Sequence, residues 1–404
     1  MPGVLLLMLG PAVALFSPRF EQAASIDARA EAGSAAQRPG DDPEATFAAE
    51  LIPGIALRLT TPRSRLELQL DPRLYYRNPN LGDVERPLVL GRAGLAHGYQ
   101  ATRNLLWSSR VRAAYGELDY TSTDLAFAAP VAGELPDAVL TTLSVQGATG
   151  IGYRFTERND LGVEAAIDHT ESRGSTTNTD LPETTSVSVT VGQRYLLDQR
   201  SSITFAVRPE QRYVSPGSDF LVLANTLSYA RALSQRTRLD AAAGVIWVKE
   251  TEESVEALPS ALLSLEHVVL RRRFSQVTNR FRAALDAPLD PSTGDVNPAL
   301  SVEAGALSSF GEHWSVACSV AGSTLLTERD DAPVEDADTS ISASGSMGYR
   351  FSENAQLEWG VRYQTRLQDA FGSNAETVDP QTWAFLRLLV QVELGPAGEA
   401  PALP

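Results

Sequence analysis

From about residue 46 onward, hydrophobic positions recur every second residue. Between 139 and 155 the odd positions read Val139, Thr141, Leu143, Val145, Gly147, Thr149, Ile151, Tyr153 and Phe155. The even positions read Leu140, Thr142, Ser144, Gln146, Ala148, Gly150, Gly152 and Arg154. One face is apolar and ends in aromatics, while the other is small or polar and ends in a charge. This is the period of a β-strand, not the 3.6-residue stripe of a helix. It returns at Ile341–Phe351, Leu357–Tyr363, Val187–Val191 and Ala384–Leu394. No long amphipathic helix emerges. The pattern predicts about seventeen strands of ~12–15 residues, longer than the ~5–6 typical of globular sheets.

The connections between these strands alternate in kind. Short ones, such as Thr61–Ser64, Ala101–Asn104, Glu157–Asp160, Asp198–Ser201, Ser234–Thr237 and Ser352–Ala355, often carry an arginine. Long ones are acidic, among them Asn78–Arg86, Thr121–Asp137, Ser172–Glu183, Glu328–Asp338 and Asp369–Asp379. Aromatics cluster beside the short turns: Tyr99, Trp107, Tyr153, Phe155, Tyr195, Phe205, Trp314, Tyr349 and Phe351. A soluble β-sandwich also alternates, but it has no reason to sort its connections by length. An antiparallel barrel in a bilayer does, with short turns at one rim, long loops at the other and aromatic girdles at the interfaces. The expected fold is all-β, a transmembrane antiparallel up-and-down barrel of about 16–18 strands. The recognisable strands begin and end in the same direction, so closure requires one more ascending strand or one fewer descending one.

Composition then reads differently. The mean hydropathy of −0.13 over 404 residues would suit a soluble chain. A wall that exposes half its residues to lipid and half to a wet interior averages to the same value. The net charge of −16 argues against nucleic acid as a partner. Lys249 is the only lysine, so arginine supplies nearly all the positive charge. Val4 to Phe16 is an apolar run of leader length, too short for a membrane helix. The expected organisation is a signal peptide over 1–24, a flexible N-terminal segment over 25–45, the barrel over 46–394 and a C-terminal tail over 395–404.

Candidate chemistry is sparse. His97, His169, His267 and His313 fall in no ligand spacing, and Cys318 is the only cysteine. No metal, cofactor or catalytic residue is expected, and the chain reads as a non-enzyme. No GxSxG elbow accompanies His169. Cys318 shares the apolar parity of Trp314, Val316 and Val320 and reads as a small wall residue. The inward parity carries charges of both signs. Arg110, Arg112, Arg154, Arg208, Arg212, Glu358, Arg362 and Arg366 are the candidates to line the lumen. Two readings stand: a ladder along a hydrated path, or interior ion pairs that stiffen the barrel.

The repeated turn formula Gly-Tyr-Arg-Phe-Thr-Glu (152–157) and Gly-Tyr-Arg-Phe-Ser-Glu (348–353) resembles periplasmic turns of bacterial outer-membrane β-barrels. The architectural resemblance covers residues 46–394. It implies a Gram-negative outer-membrane location, with outer-membrane lipid as the partner. A second resemblance, to barrels associated with exopolysaccharide export, implies a passive conduit for surface polysaccharide, with periplasmic export components as further partners. The alternatives are a general diffusion porin, a plugged structural or adhesive barrel presenting acidic loops, and an outer-membrane hydrolase. The chain departs from the usual pattern by lacking a C-terminal aromatic.

Overall fold

The computed structural model describes residues 19–35, 44–78, 86–119, 139–174, 181–215, 217, 219–250, 254–272, 275–287, 298–326, 339–368 and 376–396. It is a single antiparallel sheet closed on itself. The first strands are β1 (Arg19–Ala35), β2 (Glu44–Thr60), β3 (Ser64–Leu70), β4 (Arg73–Asn78), β5 (Leu88–Gln100) and β6 (Leu105–Asp119). Next come β7 (Val139–Thr156), β8 (Asn159–Gly174), β9 (Leu181–Leu196), β10 (Ser201–Ser215), β11 (Phe220–Ala232), β12 (Thr237–Glu250) and β13 (Glu256–Arg272). The ring is completed by β14 (Ser275–Asp286), β15 (Ala299–Phe310), β16 (Trp314–Leu325), β17 (Thr339–Ser352), β18 (Ala355–Gln368) and β19 (Glu376–Pro396). Sequential strands pair, and β1 pairs with both β2 and β19.

The wall has 18 positions. Strands β3 and β4 share one of them, because both pair with β2 on one side and β5 on the other in unbroken register. The interruption falls at Asp71–Pro72, where proline has no N–H to give the ladder. Asp71 keeps its own bond, donating to the Arg92 carbonyl at 3.0 Å.

The ascending strand that closure requires is β1. Residues 19–35 are therefore wall, where the end of a leader and a flexible segment over 25–45 were expected; residues 1–18, 36–43 and 397–404, on which the rest of the leader, the segment and the tail fall, lie outside the described residues. The described barrel runs from 19 to 396 rather than from 46 to 394. Outward positions of β1 are Ile26, Ala28, Ala30 and Ala32, and inward ones include Asp27, Arg29 and Glu31. Gly33 lets β1 and β19 approach closely, since a Cβ there would lie 1.9 Å from the Thr382 carbonyl oxygen.

Parity holds around the wall. The apolar set is exposed on the outside: Phe47, Leu51 and Ile55 on β2, Trp107, Val111 and Tyr115 on β6, Val187, Val189 and Val191 on β9. Cys318 is exposed on this face, as its parity predicts. Aromatics at the short-turn end form a belt, with Tyr153 against Phe155 at 4.8 Å and Trp314 against Tyr349 at 4.8 Å between ring centroids. A second set lies eight residues up the strands, at Tyr115 above Trp107 and Tyr213 above Phe205. Eight residues span about 27 Å along a strand. At a ~40° tilt that is about 20 Å of height, close to the apolar band of a membrane barrel. Toward the long-loop end the inner face of β10–β13 also turns apolar, with Val214, Phe220, Val222, Ile246, Val248 and Leu258 buried together.

The placement of β1 generates a test of the leader. Cleavage after residue 24 would remove the Arg19–Ala24 end of β1 and its pairs with Ile55–Thr60. We expect intact-mass and N-terminal peptide analysis of the membrane-inserted protein to find Arg19 retained. A mature chain starting at Ser25 would contradict this assignment of the closing strand.

Candidate functional site: the charged lining of the barrel

Three arcs of the inner face stand out, beside a further charged stretch on β12–β14 where Arg238 pairs with Asp240 at 2.9 Å and Arg280 with Glu266 at 3.2 Å. The first spans the closure seam, from β18 through β19, β1 and β2 to β4. Here Glu31 takes Arg29 at 2.6 Å and Arg362 at 3.1 Å. Asp27 takes Arg387 at 2.5 Å, Arg387 also reaches Glu358 at 3.6 Å, and Arg73 pairs with Glu50. Arginines stack on rings in the same arc: Arg29 lies 4.8 Å from the Phe385 centroid and Arg77 lies 5.9 Å from Trp383. Most of this lattice is withdrawn from water, with the Arg362 side chain 7% exposed and Glu31 10%.

The second arc lies on β6, β8 and β10. Alternation places Arg110 and Arg112 inward from β6, Glu164 and Asp168 from β8, and Arg208, Glu210 and Arg212 from β10. Arg110 bonds Glu164 at 3.2 Å, passing over the small Ala148 and Gly150 of β7. Glu210 is held from two sides, by Arg208 at 3.1 Å and Arg212 at 2.5 Å. Asp168 lies within electrostatic reach of Arg110, Arg208 and Glu210. Unlike the seam, much of this arc is wet. Arg110 is 61% exposed and Arg208 47%, while Arg212 is buried at 13%. Lower on the wall, Arg154 is open to solvent and pairs with Asp160 at 3.1 Å.

The third arc, on β16 and on β17 above Arg350, is small and neutral. Its inward positions are largely serine, including Ser315, Ser319, Ser323, Ser340, Ser342, Ser344 and Ser346. Ser319 and Ser344 share a hydrogen bond of 2.7 Å, as do Ser323 and Ser340. Strands β16 and β7 stand half the ring apart, so this hydroxyl arc faces the charges of the second arc.

The eight lumen candidates therefore separate. Arg110, Arg112, Arg154 and Arg208 face the interior and are accessible to water. Arg212 and Arg362 also face inward but are buried in ion pairs, which favours the stiffening role for these two. Glu358 belongs to the seam lattice through Arg387. The side chain of Arg366 lies outside the described residues. Sequence reasoning missed Asp27, Arg29 and Glu31, because they sit in the stretch read as leader and flexible segment. Their alternation with Ile26, Ala28 and Ala30 was the available signal. His169 faces outward and bonds Thr185 across the strand pair at 2.9 Å. Among the described residues no group of side chains could hold a metal ion.

The difference in burial predicts opposite mutational behaviour. Arg362→Gln leaves Glu31 short of a partner in a buried site, a loss of about 3 kcal/mol at the lower end of such cases because Arg29 remains. Arg110→Gln, at an exposed pair, should cost about 1 kcal/mol or less. Urea unfolding in detergent or vesicles reads both, and equal shifts for the two variants would refute the division.

No protein-family model matches the chain, and no curated protein matches it in sequence. Among solved structures the chain is similar to Pseudomonas aeruginosa OpdL, at 11% identity and TM-score 0.47, covering 93% of this chain and 99% of that one. It is similar to OpdQ of the same organism at 10% identity and TM-score 0.47, covering 94% and 98%. It is also similar to the outer membrane protein opdK from Pseudomonas aeruginosa, at 11% identity and TM-score 0.46, covering 92% and 99%. The likeness is to a closed barrel wall and does not extend to any solute.

Proposed function

We propose that the chain is a passive, water-filled channel of the bacterial outer membrane, a diffusion porin for small hydrophilic solutes. One observation carries the reading. The ion pairs of the described interior lie within one strand or join strands that are neighbours or next neighbours in the ring, so they run along the wall and not across it. A wall of 18 positions whose charges are satisfied sideways leaves its centre to water, as barrels of ~16–18 strands do. The facing hydroxyl arc adds a polar, uncharged surface of small volume. Conduction of surface polysaccharide gains no support from the lining. The inward aromatics Tyr75, Phe220 and Trp383 are packed in side-chain clusters and Phe385 lies under Arg29, so they offer no file of open rings to a polymer.

Solutes entering from the long-loop side would pass between the second and third arcs. Arg110, Arg112 and Arg208 are accessible positive charges there, so they should weight ion selectivity toward anions. Planar-bilayer recording of the purified protein should show large, steady conductance steps. The double variant R110Q/R112Q should keep the step but move the zero-current potential toward cation preference. Electrical silence of a correctly folded protein would favour a plugged structural barrel instead. An unchanged potential would remove these two residues from the path.

A further inference from the structure

Five successive short turns each carry an exposed arginine: Arg63, Arg103, Arg158, Arg200 and Arg236. Four of them occupy the same backbone position. The carbonyls of Arg63, Arg158, Arg200 and Arg236 accept N–H bonds from Gln100, Leu196, Ala232 and Val268 of the next hairpin, at 2.7 to 2.8 Å. In the second turn that acceptor is Asn104, beside Arg103, and in the last two turns it is His313 and Asn354. The turns are thus copies of one device, and the basic side chain recurs at or next to one place in it.

The backbone of each turn is already satisfied locally. The Arg158 N–H donates to Thr156 Oγ1 at 3.2 Å, the Arg200 N–H to Asp198 Oδ1 at 2.6 Å, and the Arg236 N–H to Ser234 Oγ at 3.0 Å. The guanidinium groups are not used this way. Among the described residues none of these five side chains has an ion-pair partner or a hydrogen bond. The acids in these turns are Glu157, Asp160 and Asp198, and Asp160 pairs with Arg154 on the strand above. Asp198 is occupied by the turn itself: the Arg200 N–H first, and the Ser201 hydroxyl and backbone, hold its carboxyl below the usual carboxylate range. The rim along β2–β12 therefore carries a net positive collar.

The collar has a defined depth. Tyr99 and Trp107 flank Arg103, Tyr153 and Phe155 precede Arg158, and Tyr195 and Phe205 flank Arg200. These rings are exposed on the outer wall, where a membrane barrel places its interfacial girdle. The arginines lie one turn beyond the girdle, at the level of lipid headgroups. The anion found there is the phosphodiester, which a guanidinium grips through two parallel hydrogen bonds.

We propose that this arginine collar binds the phosphate headgroups of anionic phospholipid in the leaflet at the short-turn rim. The binding is one-sided, because the rim at β15–β18 offers His313 and Glu353–Asn354 in place of arginine. The proposal rests on the barrel spanning a membrane but not on its conducting solutes.

Native mass spectrometry of the purified barrel, titrated with phosphatidylglycerol or phosphatidylcholine, tests the collar. The wild-type chain should retain phosphatidylglycerol in preference. Each Arg→Gln change should lower that preference by up to about fivefold, the effect of one basic residue near a charged surface at ~1 kcal/mol. The set R63Q/R103Q/R158Q/R200Q/R236Q should abolish it. The matching Arg→Lys set, which keeps the charge but loses the fork, should retain part of it and controls for folding. Equal retention of both lipids by the wild type, or an unchanged preference in the Gln set, would overturn the proposal. So would full displacement of the lipid by millimolar inorganic phosphate, which would point to a free-ion site. Binding of soluble peptidoglycan fragments without lipid preference would assign the collar to a different partner. Failure of the wild-type chain to insert into vesicles would instead count against the membrane barrel itself.

Discussion

A backbone amide in hydrocarbon has no water to bond, so each N–H and C=O of a membrane-spanning sheet needs a partner within the protein. Open edges are excluded, and the sheet has to close. Closure by antiparallel pairing needs an even number of wall positions. In this chain it falls to β1 to meet β19. That strand is unpromising by composition: its outward residues are mostly alanine, and its inward ones are charged. Alanine adds little apolar surface. The seam is instead joined from inside, where Asp27 and Glu31 hold arginines carried by β18 and β19. Removing one member would leave a charge stranded in a site poor in water, which is why such pairs are costly to break even where their net contribution to stability is modest.

Closure also dictates the rest of the wall. With one face in lipid and the other in water, each strand must alternate, and a slip by one residue would turn charges into hydrocarbon. Two departures that leave the flanking register intact coincide with prolines. Pro72 divides the third wall position into β3 and β4. Pro209 falls within the gap where β10 and β9 lose their pairing between Val207 and Glu210. Both sit where a missing N–H would be felt, and the flanking register survives in each case.

The sequence made the strands beyond residue 46 legible because β-branched and aromatic residues mark the lipid side so plainly. Parity required an even strand total and left 16 or 18, and the girdle followed from the aromatics near the short turns. The first strand stayed hidden for a physical reason. Its lipid side is written in alanine, and it follows an apolar run that reads as a leader. At the far end of β12, Ile246, Trp247 and Val248 put apolar side chains on both faces, so alternation is silent about an inner patch that is buried. The lining was half legible. Parity places Arg110, Arg112, Arg154 and Arg208 inward, and that is where they lie. Parity gives Arg362 and Arg212 the same signature, yet both are buried. The difference lies in partners: the one for Arg362 is 331 residues away in the chain, beyond the reach of any local pattern.

The direction of the ion pairs links stability to the open interior. A charge on a narrow strand can be neutralised along the wall or across the lumen. Pairing along the wall needs complementary charges at one level on strands one or two positions apart, as with Arg110 and Glu164 over Ala148 and Gly150. Small residues on the intervening strand make the reach short. Pairing across the lumen would fill it. The arc on β16 and β17 shows the other economy of space: it carries serine where its opposite arc carries arginine and glutamate, and its hydroxyls bond one another. Polar groups that satisfy each other in the plane of the wall neither demand a plug nor repel water. The same alternation that keeps the outside in lipid can therefore keep the inside wet, provided that the inward residues are chosen in neighbouring sets.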